Sequence, residues 1–250
     1  MPTNGSRGGR PGCNPDTERS NVVTLEKGDA ARRPAVRGPT PHRSETLLRL
    51  ALVEPSDREP PTMTDRSIVA KIESLFQQYG SLRYGTEPVT QLQHGLQAAC
   101  WARRSGVSSD LLVAALLHDV GHLLVADNGG QPPRTESSGS LDDGHEAWAN
   151  GWLREHFGPA VVDPIRLHVA AKRYLCTVDP TYEGQLSETS RRSYHDQGGP
   201  MDDRERAAFE KEPYYREALE LRRWDDRAKD PNMETPEFIE FLADIQSVLR

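Results

Sequence analysis

Six side chains in this sequence have the types and the spacing to hold metal ions. His94 comes first. The adjacent pair His118-Asp119 follows 24 residues later, then His145, His168 and finally Asp225. Imidazoles and carboxylates without a thiolate among them suit iron, manganese or zinc better than a soft metal. The pair His118-Asp119 lies in the most apolar stretch of the chain, Asp-Leu-Leu-Val-Ala-Ala-Leu-Leu-His-Asp-Val-Gly-His-Leu-Leu. A histidine and an aspartate buried there cost free energy unless each finds a partner, and one cation satisfies both. Taken singly, each residue has a plainer reading: a buried hydrogen-bonded pair, a helix cap at His145, a core or surface histidine at His168. The remaining histidines have weaker claims. His42 lies in a polar N-terminal stretch, His156 suits a helix C-terminus, and His195 falls in a segment expected to be a loop.

Other groups near these positions are not needed for metal binding. His122 is four residues after His118 and Lys172 is four after His168, spacings that put each pair on one face of a continuous helix. They would add an imidazole and an ammonium to the same cavity, a pairing suited to an anion. The segment Ser187-Glu-Thr-Ser190 through Gln197-Gly198-Gly199-Pro200 offers hydroxyls, an amide and close backbone approach. Tyr84-Gly85-Thr86-Glu87 sets a phenol and a carboxylate at a loop-to-helix junction ahead of His94. Taken singly, such residues read more readily as a solvated helix face (Lys172) or a turn (Ser190).

The elements that must position these groups are helical. Ile68, Ile72, Leu75, Phe76 and Tyr79 recur at helical spacing and stop at Gly80. A second helix is expected over 88–104. A third, capped at Ser108 or Ser109, is apolar almost all round and runs through His118-Asp119 as one piece. A polar loop is expected over 127–143, helices over 144–157 and 159–174, a second long loop over 177–201, and helices over 202–210, 213–228 and 235–249. No alternating pattern of strand length occurs, so the expected fold is an all-α bundle with two long loops beside the site. Residues 1–62 are rich in Pro, Gly, Arg, Ser and Thr and lack hydrophobic periodicity. They read as a disordered or even untranslated extension ahead of a helical domain over 63–250, with Met63 as an alternative start.

Bulk properties exclude several classes. With 35% hydrophobic and 28% charged residues and a formal net charge of −7, the chain has no global field for nucleic acid. No run approaches the length of a membrane span, no signal peptide is recognisable, and Cys13, Cys100 and Cys176 are too dispersed for a disulfide scaffold. The expected setting is cytoplasmic, without nucleic-acid or membrane partners.

The order His, His-Asp, distant Asp resembles the signature of the HD superfamily. The longer motifs are more specific: Tyr84-Gly-Thr-Glu-Pro-Val-Thr-Gln-Leu92 with His94, the Leu-Leu-His-Asp-Val-Gly-His run, Ile165-Arg-Leu-His168 through Lys172-Arg-Tyr-Leu-Cys176, Gln197-Gly-Gly-Pro200, and Leu221-Arg-Arg-Trp-Asp-Asp226. Together, over residues 65–245, they resemble the HD-domain oxygenases of phosphonate degradation (the PhnZ type, related to myo-inositol oxygenase). The resemblance implies a mixed-valent Fe(II)/Fe(III) pair working with O2. It also implies oxidative cleavage of the carbon–phosphorus bond of a 1-hydroxy-2-aminoethylphosphonate, giving phosphate and glycine, or glycine betaine from the trimethylated analogue. One iron would be held by His94, His118, Asp119 and Asp225, and the other by His145 and His168 with Asp119 bridging. The small anionic phosphonate would be held by His122, Lys172, Ser190, Gln197 and Arg222, with Tyr84 and Glu87 as a gate. The alternative is an HD phosphohydrolase acting on a small phosphate ester through metal-bound hydroxide. A metal-binding sensor would leave the cationic residues unexplained.

Overall fold

The computed structural model describes residues 63–130 and 141–250, with side chains over 66–130 and 148–250. The expected tail over 1–62 and part of the first long loop lie outside the described residues. All regular structure among the described residues is helical; pairing is limited to two isolated bridges, Arg83–Thr90 and Phe157–Leu249.

Helix α1 (Met63–Tyr79) buries Ile72, Leu75 and Phe76 and ends where Gly80 donates its N–H to the Phe76 carbonyl. Helix α2 (Gln91–Arg104) starts at a reciprocal cap: Thr90 accepts from the Gln93 N–H, and the Gln93 side chain accepts from the Thr90 N–H. Helix α3 (Ser109–Leu117) is capped by the Ser108 hydroxyl and buries every residue from Leu111 to Leu117. A Cβ on Gly95 would stand 2.9 Å from the Leu116 carbonyl oxygen, so only glycine lets α2 lie this close to α3.

The apolar run does not continue as one helix. It breaks at His118-Asp119 and resumes as α4 (Val120–Asp127), bent by 49° from α3. Asp119 has left helical geometry, at φ −107° and ψ 16°. The His118 ring takes the Ala115 carbonyl at 2.8 Å, competing for the acceptor that a continuing helix would offer the Asp119 N–H. The expectation that His118 and His122 share one helix face therefore fails. No single helix among the described residues is long and apolar enough to cross a membrane.

Helices α5 (Leu141–His156) and α6 (Pro159–Val178) match their expected positions, α6 running a full turn further. The second expected long loop is corrected. It contains a 3₁₀ turn at Glu183–Gln185 and helix α7 (Glu188–Asp196), capped by the Ser187 hydroxyl accepting from the Ser190 N–H. Helices α8 (Asp203–Phe209) and α9 (Tyr215–Arg227) follow. The helix expected over 235–249 is a 3₁₀ turn at Phe238–Phe241 and a short α10 (Leu242–Ser247).

Four helices, α2, α3, α6 and α9, pack on one another and carry His94, His118, His168 and Asp225 into one region. The main core behind them runs from Ile72 through the α3 leucines to Leu153, Phe157, Trp224 and Ile245. A smaller cluster of Leu167, Ala171, Met201, Phe209 and Ala218 joins α6, α8 and α9. Burial of these side chains, at about 25 cal/mol per Å² of apolar surface, is what fixes the helix register on which the site depends.

Candidate metal centre and its cavity

His94 and His118 face each other across the bundle with their Nε2 atoms 3.0 Å apart. His94 Nδ1 lies 2.8 Å from the Ala228 carbonyl oxygen and His118 Nδ1 2.8 Å from that of Ala115. His168 Nδ1 lies 2.6 Å from the Ile165 carbonyl oxygen. A carbonyl only accepts, so all three rings donate through Nδ1 and present Nε2 as a lone pair. Metal-ligating histidines are held in the same way.

Carboxylates meet those lone pairs. Asp119 Oδ2 is 3.5 Å from His94 Nε2 and 3.4 Å from His118 Nε2, and Asp119 Oδ1 is 3.8 Å from His168 Nε2. Asp225 Oδ1 is 3.4 Å from His94 Nε2. His94, His118 and Asp225 bring their ligand atoms within 4.8 Å of one another, and Asp119 reaches from this group towards His168.

Two buried oxygens at this point, Asp119 Oδ2 and Asp225 Oδ1, have no hydrogen-bond partner. A buried carboxylate oxygen left unpaired is costly, and two imidazole lone pairs 3.0 Å apart repel. One cation between them removes both penalties, so the residues present fit a metal ion. Charge demand points the same way. The lone pair at His94 Nε2 is free only when a cation displaces a proton from it: burial pushes the imidazole down, but Asp119 and Asp225 more than offset it and raise it to about 9, the positive charge that a metal ion would replace. Burial alone would raise Asp119, yet the imidazoles of His118 and His94 beside it hold it well below the usual carboxylate range. Burial pushes His168 down to about 4, so it stays neutral and able to ligate. Residue 145 sits in α5, but its side chain lies outside the described residues, and so does the expectation for it.

The centre opens into a cavity of about 660 Å³, lined by Tyr84, Glu87, His122, Lys172, Ser190, Gln197 and Arg222, among others. Tyr84 stacks on the His94 ring, centroids 3.8 Å apart and planes 15° from parallel, beside the Asp119 carboxylate. Burial and the charges of Asp119 and Asp225 keep its phenol protonated, well above the usual value. Glu87 accepts from the Ser187 hydroxyl, and Thr86 and Thr189 share a hydrogen bond. Two walls of the cavity, the 84–87 loop and the start of α7, are thereby tied together.

On the other side lie cations. Lys172 is buried and donates to Ser193 Oγ at 2.6 Å; burial, helped by Arg222, lowers it to about 8. Arg222 Nη1 forms an ion pair with the second oxygen of Asp225 at 2.8 Å, and Nε and Nη2 grip Asp226. Its fork thus orients a candidate ligand while lining the cavity. Ser190 Oγ accepts from Lys229 at 3.0 Å, which leaves its own hydrogen for another acceptor. Gln197 Oε1 is buried without a partner. His122 lines the cavity from its exposed side. His195 sits at the end of α7 and pairs with Glu183, away from the cavity lining.

The sequence reading missed Ser193, Asp226 and Lys229, and also Gln97, which binds the backbone of Asp230. Their signal was spacing: Ser193 is three after Ser190, Gln97 is three after His94, and Lys229 is four after Asp225. Such spacing shares a helix face but does not say what lies opposite.

No protein-family profile matches the chain. Among curated proteins, it is 42% identical over 181 residues to a hydroxymethylphosphonate dioxygenase of Gimesia maris, covering 72% of this chain and 88% of that one. It is 39% identical over 189 residues to the glycine-betaine-forming [1-hydroxy-2-(trimethylamino)ethyl]phosphonate dioxygenase of Leisingera caerulea, covering 73% and 91%. An uncharacterized protein of Acanthamoeba polyphaga mimivirus is 39% identical over 163 residues, 64% of this chain and 72% of that one.

Proposed function

Because the chain belongs to the HD-domain phosphonate dioxygenases of the PhnZ type, we propose that it uses O2 to cleave the carbon–phosphorus bond of a 1-hydroxyphosphonate. The products are inorganic phosphate and the carboxylate formed from the hydroxylated carbon, with O2 accepting the four electrons that this carbon loses. From a 1-hydroxy-2-aminoethylphosphonate the carboxylate is glycine, from its trimethylated analogue glycine betaine, and from hydroxymethylphosphonate formate. One observation carries the reading. A centre that demands positive charge, with its two unpartnered carboxylate oxygens, opens directly into a cavity carrying Lys172, Arg222 and the free hydrogen of Ser190. That pairing suits a substrate that is an anion at one end and has a hydroxyl next to it.

In this reading two iron ions, mixed-valent Fe(II)/Fe(III), supply the O2 chemistry. His94, His118, Asp119, Asp225, His145 and His168 would hold them. The rest is done by the chain. Lys172 supplies charge to the phosphonate, and the Ser190 hydroxyl donates to it with its orientation set by Lys229. His122 and Gln197 complete the anion contacts, and Arg222 keeps Asp225 in place while adding charge. Tyr84, protonated and stacked on His94, occupies the side from which substrate must arrive and gives way to it, and Glu87 holds the loop that carries Tyr84 against α7.

The test is stoichiometry on three substrates: hydroxymethylphosphonate, 1-hydroxy-2-aminoethylphosphonate and its trimethylated form. Iron-loaded protein consumes one O2 per phosphate released, and labelled O2 puts one atom into the carboxylate. Phosphate released without air at the aerobic rate, or full activity with zinc, which has no redox chemistry, would overturn the proposal in favour of a hydrolase.

A further inference from the structure

Gln97 makes no hydrogen bond to a candidate metal ligand and does not line the cavity, yet it is 1% exposed and uses both ends of its amide on one backbone unit. Its Nε2 donates to the Asp230 carbonyl at 2.7 Å, and its Oε1 accepts from the Asp230 N–H at 3.1 Å. Asp230 belongs to the turn that leaves α9, two residues past Ala228. The Ala228 carbonyl receives His94 Nδ1–H, and the Ala228 N–H donates to the Asp225 carbonyl. His94 and Gln97, three residues apart on α2, therefore grip the same short turn, which directly follows the last turn of α9, where Asp225 sits. Few side chains hold residues 228–230 otherwise: Lys229 reaches Ser190 and Asp226, and the Asp230 carboxylate accepts from Asn232 N–H.

We propose that Gln97 is a positioning residue for the metal centre. By clamping the turn after α9 it fixes the Ala228 carbonyl, and that carbonyl fixes the tautomer and plane of the His94 ring. The chemistry is specific. An imidazole ligates through Nε2 only while its proton stays on Nδ1, and the acceptor that keeps it there is a backbone oxygen at a helix end, where carbonyls lack intrahelical partners. Such an acceptor is only as well placed as the turn that bears it. Gln97 supplies the placement through two hydrogen bonds in a buried setting, where neither partner has water to turn to. The same clamp sets the distance between α2, which brings His94, and α9, which brings Asp225.

The inference rests on the reading of His94 as a metal ligand, and the experiment separates the two. Iron affinity is measured by chelator competition for the wild type, Gln97→Met, Gln97→Glu and His94→Ala, each checked for helicity by circular dichroism. Gln97→Met, of similar volume but with neither hydrogen bond, is expected to weaken iron binding about 10- to 100-fold, the usual range for a group that orients a ligand from outside. Gln97→Glu keeps the acceptor for Asp230 N–H and loses the donor, so it falls between. It carries the test alone if Gln97→Met does not fold. The electron paramagnetic resonance signal of the iron that still binds should shift in both, which a purely structural role would not produce. Wild-type affinity and spectrum in both Gln97 variants, with iron lost in His94→Ala, would overturn this inference and leave the centre standing. Unchanged iron binding in His94→Ala would instead overturn the metal reading itself.

Discussion

Replacing Lys172 by methionine should weaken the enzyme's hold on its substrate while making the protein harder to unfold. Both effects follow from one fact: its ammonium is buried, lowered from the ordinary 10.5 to about 8. At about 1.4 kcal/mol per pKa unit, a depression of 2.5 units means that the charged lysine destabilises the folded chain by roughly 3 kcal/mol at neutral pH. The sign is fixed by linkage. The unfolded chain holds this proton more tightly, so the penalty is fully present below pH 8 and is relieved as pH rises from about 8 towards 10.5. Methionine keeps the stem and removes the charge. Against the relief stands the lost hydrogen bond to Ser193, worth about 1 kcal/mol. The net gain of about 2 kcal/mol at pH 7 corresponds to a melting temperature about 4–8 °C higher. A charge-assisted contact to a phosphonate contributes about 1.5–3 kcal/mol, so binding should fall about 10- to 150-fold with iron content unchanged. Calorimetry at pH 7 and 9.5 with steady-state kinetics on the three phosphonates tests both halves. An unchanged Michaelis constant, or a variant that melts lower at pH 7, would refute the reasoning.

Other substitutions probe the frame. Arg222→Lys cannot reach Asp225 and Asp226 together, so iron affinity should fall about 10- to 100-fold in chelator competition, more than the change in phosphonate affinity at saturating iron. Gly95→Ala sets a methyl 2.9 Å from the Leu116 carbonyl oxygen and should cost about 1–3 kcal/mol, read as a lower midpoint in urea at an unchanged slope. Removing residues 1–62 should leave both the melting temperature and turnover of the remaining chain unaltered, because their composition supplies no core of its own; a fall in either shows that they pack against the helices.

The candidates His94, His118, Asp119, His168 and Asp225 could be singled out by residue type and order, and the structure brings them into one region; helices α1, α2, α5, α6 and α9 were legible because their buried faces repeat at helical spacing, and α8 rests on the Asp202–Glu205 capping box. Helix α7 was not legible. Its buried positions are Ser190 and Tyr194, so nothing apolar repeats, and what forms it is the Ser187 cap. The break at His118-Asp119 was hidden for another reason. Hydropathy runs unbroken through it, and the cause is a ring taking a backbone carbonyl, which no periodicity records. Arg222 could be carried over by motif, but its grip on Asp225 could not. Gln97 and Lys229 share faces with ligands, but their partners are parts of the chain more than a hundred and about forty residues away respectively.

The pair of contacts between the 84–87 loop and α7 sets a clock as well as a wall. One is a hydroxyl pair, Thr86 with Thr189, and the other a hydroxyl on a carboxylate, Ser187 with Glu87. Such bonds contribute about 0.5–1.5 and 1.5–3 kcal/mol, so parting the two walls costs about 2–4.5 kcal/mol, an open fraction between about one in thirty and one in two thousand. Loop motions of this kind run in microseconds to milliseconds, and O2 is far smaller than a phosphonate. If the phosphonate and the phosphate it becomes pass between these two walls, they wait on that opening while the gas need not. Turnover at saturating substrate should therefore slow as solvent viscosity rises, while its dependence on O2 pressure stays the same.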